Sequence, residues 1–488
     1  MPAKAKATRP TWTPDSRKVV RASYDAARYT AENESLWQYV DGLSAASANT
    51  PQVRKTIRNR ARYETANNGY ADGIVDTLAN DTIGPAVQLQ LGDSEFAQKV
   101  EREFERWANA TNLWGKLRML RRAKAVDGEV FAMMITNPRI THEIKLDLRP
   151  VECDLIEGWY GNIMRDDEID GIRFDEKGNP VMYRMLRSHP GDVGSLRKGG
   201  PLAGDWVSAR WMKHYFSATR PGQVRGISEI LPALSLFGQL RRYTSAVIEC
   251  ASRAAEISLV LHTDMLPDQL AAELDAATVI SLERNAALSM PEGWKPTQLK
   301  AEQPTTTYGD FKSEIINEIA RCLSMPYNIA AGNSSGYNYA SGRLDHQTYD
   351  RNIEVERKDI TSAILDPMLA EWINEYATRH SLTDTEKAEL IDHEWHFAAR
   401  DHVDPAKEAN ADNTRLQNGT LTYAAYYAKR GKDWKREERQ RVRERIAREV
   451  MWNEEREKAG LPPAVYPGDP AAPNPPASKE QPEAEDED

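Results

Sequence analysis

The sequence has few cysteines and no long hydrophobic run. Among its 488 residues are three cysteines, Cys153, Cys250 and Cys322, and no two of them form a Cys-x-x-Cys pair. This usage argues against a disulfide framework or a structural zinc site and favours a reducing compartment. No apolar run approaches the ~20 residues that a membrane-spanning helix needs, and the first residues lack the apolar stretch of a secretory signal. We therefore expect a globular protein without a membrane partner.

An excess of positive charge is also missing, because the formal net charge is -10. The first 22 residues are an exception, with six Lys/Arg and one Asp, whereas the end from Asp469 onward carries seven acids and one lysine. A chain with this balance lacks the broad basic surface of a tight nucleic-acid binder. We expect a flexible basic N-terminal arm over residues 1–30 and a disordered, acidic, proline-rich tail over residues 461–488.

Motifs for nucleotides and metals are absent. The sequence contains no P-loop and no Gly-x-Gly-x-x-Gly after a strand. His393, His396 and His402 cluster, but their spacing is not that of His-Glu-x-x-His, so surface or core-edge histidines are favoured over a zinc site. We expect no cofactor and no metal.

Helical and extended patterns alternate in the first half of the chain. Val53, Ile57 and Ala61 are spaced as one helix face, and a second helix follows the break at Asn67-Asn68-Gly69 and ends at Gly84-Pro85. Further on, a helix capped by Ser94 is predicted, and a helix, the pair Asp127-Gly128 and the strand "EVFAMMI" follow one another. The segments "IDGIRFDEKGNPVMYRMLRS" and "DWVSARWMKHYFSA" predict a β-hairpin and one more strand-like stretch. The pattern indicates a mixed α+β body. A basic run on the predicted helix is interpreted as a solvated or inter-subunit surface; it comprises Lys116, Arg118, Arg121, Arg122 and Lys124.

The second half is mainly helical. Two helical segments flank a short β-rich excursion, and a long helix follows with a kink expected at Pro367. Apolar residues recur along one side of that long helix: Tyr349, Ile353, Ile360, Ile364, Met368, Trp372 and Tyr376. The last helix has a narrow stripe of Val442, Ile446 and Val450 within dense mixed charge, which is typical of a solvated face.

One short motif raises the question of catalysis. Gly332-Asn333-Ser334-Ser335-Gly336 matches Gly-x-Ser-x-Gly, the nucleophile elbow of α/β-hydrolases, which needs a strand before the serine. Here the loop follows an amphipathic helix that Pro326 is expected to close, and His346 and Asp345 are merely near in sequence. A serine hydrolase using Ser334 therefore stays as a disfavoured alternative. A loop of Gly, Ser, Asn and Tyr suits contact with a moving partner without tight binding.

A second motif is "RPGQVRG", residues 220–226. Arg220 and Arg225 around Pro221, Gly222 and Gly226 could bind phosphate, but the segment lacks the Lys-Ser/Thr of an NTPase loop. We favour a structural turn that leads into the following helix.

Five segments in order resemble the lambda-type portal proteins of tailed double-stranded DNA phages. The most diagnostic is the turn in "HYFSATRPGQVRGISEILPAL", and Ala340 before Ser341 is a mild departure from the family pattern in the last segment. The other four segments are "ARYETANNGYADGIVDTLANDTIGPAVQLQ", "RRAKAVDGEVFAMMI", "IDGIRFDEKGNPVMYRM" and "IARCLSMPYNIAAGNSSGYNYASGR". Together they cover roughly residues 30 to 400.

The resemblance implies a ring-forming portal fold of the α+β class, with a mixed α/β wing, a two-helix stem, a β-containing clip and a helical spine and crown. The implied divisions are a wing at 31–228, a first stem helix at 229–256, a clip at 257–308, a second stem helix at 309–326, a tunnel loop at 327–343, a spine helix returning to the wing at 344–400, and a crown at 401–460.

The resemblance further implies a dodecameric, non-enzymatic ring at one capsid vertex, through which double-stranded DNA is packaged and ejected. Its implied partners are the large terminase, the head–tail adaptor, the major capsid protein and scaffold, in the virion and, during assembly, in the host cytoplasm. The residues expected to face DNA are Asn333, Ser334, Ser335, Tyr337, Asn338, Tyr339 and Arg343. An oligomeric scaffold or adaptor without a channel is the other alternative.

Overall fold

Helices and strands alternate first and helices dominate later, as the sequence predicts. The computed structural model describes residues 42–92, 94–157, 167–192, 203–255, 259–263, 294–298, 308–335, 339–398, 405–428, 430, 432, 434–464 and 466. Within these ranges the elements up to residue 216 are α1 (Ala45–Ala48), α2 (Pro51–Asn67), α3 (Gly69–Ile83), β1 (Val87–Gln90), α4 (Glu95–Ala110), α5 (Leu113–Asp127), β2 (Glu129–Thr136), β3 (Leu146–Val151), β4 (Glu168–Ile169), β5 (Ile172–Phe174), β6 (Pro180–Leu186), β7 (Gly204–Ser208) and β8 (Met212–Phe216).

The described elements that follow are mainly helical. They are α6 (Leu234–Ala255), β9 (Leu259–Thr263), β10 (Trp294–Gln298), α7 (Tyr308–Arg321), α8 (Tyr327–Ala331), α9 (Tyr339–Ile360), α10 (Asp366–His380), α11 (Asp384–Glu389), β11 (Glu394–Phe397), α12 (Pro405–Gln417), α13 (Tyr423–Ala428) and α14 (Trp434–Lys458). No helix in the described ranges is both long and apolar enough to span a bilayer.

Local sequence signals explain several helix ends. The hydroxyl of Ser94 accepts a hydrogen bond from the Ala97 backbone N–H at 2.9 Å and caps α4, as predicted. Asn68 separates α2 from α3, and Gly84, with φ +73°, ends α3 in a conformation that favours glycine. The predicted breaks at these two positions are therefore confirmed.

The strands form four antiparallel sheets in the described part of the chain. Their orders are β3-β2-β8, β4-β5-β6-β7, β1-β11 and β9-β10. The hairpin predicted at residues 169–188 is present as β5 and β6. The stretch predicted as one strand-like unit, residues 205–218, forms two strands that belong to different sheets, since β7 pairs with β6 and β8 pairs with β2.

Two large apolar cores hold these layers together. The first packs α4, α5 and the β3-β2-β8 sheet against α10; the rings of Phe104 and Trp372 meet edge to face at 5.3 Å, and Trp107 Nε1 donates to the Leu146 carbonyl at 2.9 Å. The second joins α3, α6, α7, α8 and α9. All seven apolar residues predicted on one side of the long helix are buried in these cores. The distortion expected near Pro367 is a π-helical turn, Thr361–Leu365, between α9 and α10.

Two predicted details were wrong. The buried face of α2 carries Arg54 and Arg58; of the predicted face, Ala61 is buried and Ile57 is half-buried, but Val53 is 42% exposed. The helix expected to end at Pro326 ends at Arg321, and Pro326 instead precedes α8 as its N-cap. Proline suits the start of a helix because its missing N–H has no partner to lose there.

Candidate functional site

The loop of residues 332–343 starts at a defined backbone turn. Gly332 ends α8 with φ +61°, and its N–H donates to the Ile329 carbonyl at 3.2 Å. The next N–H, of Asn333, donates to the Asn328 carbonyl at 3.1 Å. A left-handed glycine closing a short helix in this way fixes the direction in which the loop leaves.

The first loop residues are exposed and bonded to one another. The side-chain oxygen of Asn333 accepts hydrogen bonds from the backbone N–H and the hydroxyl of Ser335, at 2.9 and 2.7 Å, and Ser334 lies between them in solvent. Of the remaining predicted residues, Tyr337 and Asn338 lie outside the described residues. Tyr339 and Arg343 lie in the first turns of α9, and their side chains are outside the described part.

Ser334 does not occupy a nucleophile elbow. The segment before it is the helix α8 and not a strand, so the strained strand-to-helix turn of hydrolases is not formed. The nearby His346 faces Asn328, with 3.1 Å between its Nε2 and the amide nitrogen Nδ2. The hydrolase alternative therefore loses the geometry on which it depended.

The loop follows α8, which packs on α7. Tyr327 at the start of α8 donates a hydrogen bond to Ser313 of α7 at 3.0 Å. The helix α7 in turn packs on α6, where the ring of Tyr243 lies 4.8 Å from Phe311 and 5.6 Å from Tyr308. The start of the loop is thus attached, through α8, to a pair of helices that aromatic contacts hold together.

The turn at residues 220–226 begins on the surface and is buried at Arg225 and Gly226. The guanidinium of Arg225 is 3% exposed and binds both carboxylate oxygens of Glu129 at 2.7–2.9 Å. It also donates to the carbonyl of Asp170 at 2.7 Å. Arg220 donates to the Leu43 carbonyl at 3.1 Å, and Gly222 adopts φ +78° between Pro221 and Gln223. Arg225 therefore has no donor free for an external phosphate.

Glu129 is the centre of a buried charge network. Besides Arg225, it accepts hydrogen bonds from the Gly226 N–H and from His214, both at 2.9 Å, and Arg58 lies 3.6 Å away. Burial alone would raise the pKa of Glu129, but the charge of Arg225 and the bond to His214 outweigh it and hold the pKa well below its usual value.

Opposite charges balance throughout this network. Arg58 pairs with Asp154 at 2.7 Å, Arg62 bridges Asp154 and Asp127 at 2.7 Å, and Arg54 pairs with Asp170 at 3.1 Å. Four arginines thus face four carboxylates, and a fifth carboxylate, that of the exposed Glu152, lies 3.8 Å from Arg62. We name these residues the Glu129 network: Arg54, Arg58, Arg62, Asp127, Glu129, Asp154, Asp170, His214 and Arg225.

His214 makes the Glu129 network sensitive to acid. Its ring is stacked between Phe131 and Phe216, with 4.2 Å between centroids on each side, and burial lowers its pKa below 6.5 despite the bond to Glu129. Near pH 6.5 His214 therefore binds a proton in the unfolded chain but stays neutral in the folded chain. The contribution of His214 to the free energy of unfolding is fully present above pH 6.5 and decreases as the pH falls below that value.

We expect His214→Gln to flatten this dependence, because the amide still donates to Glu129 but does not titrate. The free energy of unfolding, measured by urea titration from pH 7.5 to 5, should fall more steeply in the wild type, by up to about 1.4 kcal/mol per pH unit. His380→Gln, at an exposed histidine paired with Glu143, should keep the wild-type slope. Equal slopes in His214→Gln and the wild type would contradict the assignment.

The turn also requires two glycines at a close backbone approach. A Cβ on Gly226 would lie 2.1 Å from the Gly128 carbonyl oxygen, and a Cβ on Gly128, whose φ is +88°, would lie 2.2 Å from the Ile227 carbonyl carbon. The pairs Asp127-Gly128 and Arg225-Gly226, which the sequence shows as separate signals, therefore pack against each other.

A second buried network joins α5 to Glu229, which lies before α6, and to α9. Arg121 pairs with Glu229 at 2.9 Å, and Lys124 pairs with Glu356, which also accepts from the Tyr215 hydroxyl. The other members of the basic run are also engaged: Lys116 with Asp147, Arg122 with Asp72 and Asp76, and Arg118 with the Gly84 carbonyl. The interpretation of this run as a solvated surface was wrong for Arg121 and Lys124, which are buried.

Two of the clustered histidines have ordinary partners. His393 lies 3.1 Å from Asp366, and His396 lies 2.7 Å from the side chain of Gln90 on the paired strand. His402 is outside the described residues. In the part of the chain that the structure covers, no three His, Cys, Asp or Glu side chains are grouped to hold a metal ion.

Sequence reasoning missed the Glu129 network. One signal was present, since Arg54, Arg58 and Arg62 recur every four residues on a helix that has few apolar residues. Charge recurring on one helix face is usually solvated, and only the carboxylates from distant segments identify this face as buried.

Comparison with known proteins decides the family. Residues 34–357, about two thirds of the chain, match the lambda family of phage portal proteins. The chain belongs to this family. Among curated proteins it is similar to a probable portal protein of Halomonas phage phiHAP-1, with 24% identity over 449 residues that cover 84% of each protein.

Among solved structures, portal and neck chains are similar to this portal-family chain. A chain from the neck of an empty gene transfer agent particle has 14% identity and a TM-score of 0.48, with 85% of this chain and 95% of that one covered. A HK97 family phage portal protein from Corynebacterium diphtheriae has 12% identity and a TM-score of 0.26, with 74% and 98% covered. The assignment to the family rests on the match of residues 34–357.

Proposed function

We propose that this portal-family chain is a non-enzymatic subunit of a dodecameric ring at one capsid vertex. The ring would enclose a channel for packaging and ejecting double-stranded DNA, and residues 332–343 would line it. The observation that carries the proposal is the exposed Gly332–Ser335 turn, which ends a short helix packed on α7, in a chain whose sequence matches the portal family.

The contacts support the assignment of successive segments of the chain to the wing, stem, clip, spine and crown. The wing would be residues 31–228, fixed by the first core and the Glu129 network. Helices α6 and α7 would be the stem, and β9 with β10 would belong to the clip between them. Helices α9 and α10 would be the spine, and α12 to α14 the crown. The clip would dock the large terminase, which would supply ATP hydrolysis, and later the head–tail adaptor.

The absence of charge on the first loop residues suits a surface along which DNA moves better than one that binds DNA tightly. Asn333, Ser334 and Ser335 are polar, uncharged and exposed. Each phosphate that a protein neutralises adds counterion-release affinity, so a strongly basic lining would hold DNA in place. Tyr337 and Tyr339 would add rigid contact area with few rotatable bonds, and one Arg343 per subunit would give a ring of positive charge after assembly.

Replacing Tyr337 and Tyr339 together with glycine is the test. We expect several-fold less packaged or retained DNA per particle, because the loop loses its rigid contact area, whereas ring assembly stays intact. DNA is measured by nuclease protection of particles, and rings with a central hole are scored by negative-stain microscopy.

The matched control is Tyr423→Ala, at an exposed tyrosine of α13 that is remote in sequence from the loop. It should package DNA as the wild type does. Unchanged packaging and retention in the double variant would remove the loop from the mechanism, and particles without a central opening would instead favour a scaffold or adaptor.

A further inference from the structure

Helix α14 carries a stripe of apolar side chains that is half exposed in the described part of the chain. None of the residues of α14 whose side chains are described is buried, and Val442, Ile446 and Val450 are 50–56% exposed. The helix contacts α4 before this stripe, where Arg439 donates to the side chain of Gln98 at 3.3 Å. The apolar face continues beyond that contact.

The segment after α14 turns this face into a groove. Gly460, with φ +70°, reverses the chain, and the Leu461 N–H donates to the Arg456 carbonyl at 2.8 Å. The returning segment is then fixed by a bond of 2.9 Å from the Ala464 N–H to the side chain of Asn453. The groove has a volume of ≈ 530 Å³, and its apolar lining consists of Ile446, Val450, Leu461 and Pro463.

Three carboxylates surround this apolar lining. They belong to Glu449, Glu454 and Glu457. In the part of the chain that the structure describes, none of the three makes an ion pair, whereas the neighbouring Glu455 pairs with Lys458 at 2.6 Å. An occupant of this groove must therefore combine an apolar anchor with positive charge on both sides.

We infer that the occupant is the chain's own N-terminal arm, residues 1–30, from the same subunit or a neighbouring one. The first 22 residues carry six Lys/Arg and one Asp, and Trp12 lies between Arg9 and Arg17. Trp12 supplies the apolar anchor, and the basic residues meet the three glutamates. The segment from Asp469 onward starts nearer in sequence, but its seven acids and one lysine oppose docking on an acidic rim.

A long connection joins the arm to the described part of the chain. Between Arg17 and Gly42, the first described residue, the chain can extend over roughly 80–90 Å. The inference goes beyond the proposed function and does not depend on it, since a groove for the arm needs no channel.

Photo-crosslinking in the full-length protein tests the inference directly. Benzoylphenylalanine is placed at Ile446 or Val450, and in a control at Met451, which is exposed but lies about 100° around the helix from Val450. Mass spectrometry should identify crosslinks to residues 1–30 from the probe at Ile446 or Val450, and none from the probe at Met451. Crosslinks to α14 of a second copy, or none to the arm, would overturn the inference.

Limited proteolysis gives a second measurement without an added chromophore. Trypsin should cleave after the basic residues of the arm about tenfold faster in Ile446→Asp than in the wild type, because an undocked arm is continuously open and one buried apolar contact is lost. Met451→Asp is the control and should cleave at the wild-type rate. Ile446 and Met451 are both exposed, so we expect both variants to fold like the wild type. Equal cleavage rates in all three proteins would contradict the docking of the arm.

Discussion

Replacing Glu129 with glutamine is expected to lower the free energy of unfolding by about 3–5 kcal/mol, the cost of removing one partner from a buried ion pair. Arg225 would keep its charge at 3% exposure without the carboxylate that binds it at 2.7–2.9 Å. The amide nitrogen of glutamine would also face the donors of Arg225 and Gly226. The change preserves side-chain volume, so the loss reports charge and hydrogen bonding rather than packing.

Chemical denaturation followed by tryptophan fluorescence measures the Glu129→Gln effect. Glu176→Gln, at an exposed position in the hairpin loop, is the matched control and should stay within about 0.5 kcal/mol of the wild type. A Glu129→Gln protein as stable as this control would show that the network contributes no net stability. Since the pKa of Glu129 is lowered in the folded state, the stability that it confers is present above pH 4.5 and is lost as the pH falls below that value.

Replacing Gly128 with alanine is expected to cost about 4 kcal/mol or more, which is in the range of severe core disruption. The added Cβ would lie 2.2 Å from the Ile227 carbonyl carbon and 2.4 Å from the Ser228 nitrogen. Both are backbone atoms, so relief requires moving the chain away from β2. That movement would also separate Glu129 from the Gly226 N–H.

Gly178 allows the effect of the left-handed backbone angle on stability to be separated from the effect of the close contact with Ile227. It has nearly the same backbone angle, φ +84° against +88°, but nothing lies within 4 Å of a Cβ added there. Gly178→Ala should therefore cost only the strain of a left-handed residue, about 1–2 kcal/mol. Thermal and urea unfolding of both variants give the comparison. Equal losses would mean that backbone angle alone, and not the close approach to Ile227, decides the requirement for glycine.

Patterns of apolar residues predicted the core well where one helix face is apolar. The seven residues from Tyr349 to Tyr376 are all buried. Capping residues and glycines also predicted helix ends, as at Ser94 and Gly84. These signals are local, so they can be interpreted without knowledge of the rest of the fold.

The same method failed where polar residues are buried. On α2 the buried arginines, Arg54 and Arg58, each follow the predicted Val53 and Ile57 by one position. Hydrophobic periodicity cannot detect a face whose partners are the carboxylates of Glu129, Asp154 and Asp170 from distant segments. The basic run on α5 was misinterpreted for the same reason, since Glu229 and Glu356 are about a hundred residues or more away in sequence.

The loop was predicted in place but not in detail. Residues 327–343 were expected to form one continuous loop, whereas Tyr327–Ala331 is helical and α9 already begins at Tyr339. A short helix after proline and a helix start within a Gly-Ser-Asn-Tyr segment have weak propensity signals. Contacts such as that of Tyr327 with Ser313 decide these boundaries, and they depend on how α7 and α8 pack.

The pairing of β1 with β11 imposes an order on biosynthesis. Gln90 and His396, bonded across this small sheet, are 306 residues apart. A ribosome adding roughly 5–20 residues per second needs about 15–60 s to make the intervening chain. Throughout that interval the β1 edge lacks its partner, so a nascent chain cannot complete this sheet, and a fragment released before residue 394 would expose it to chaperones and to other chains.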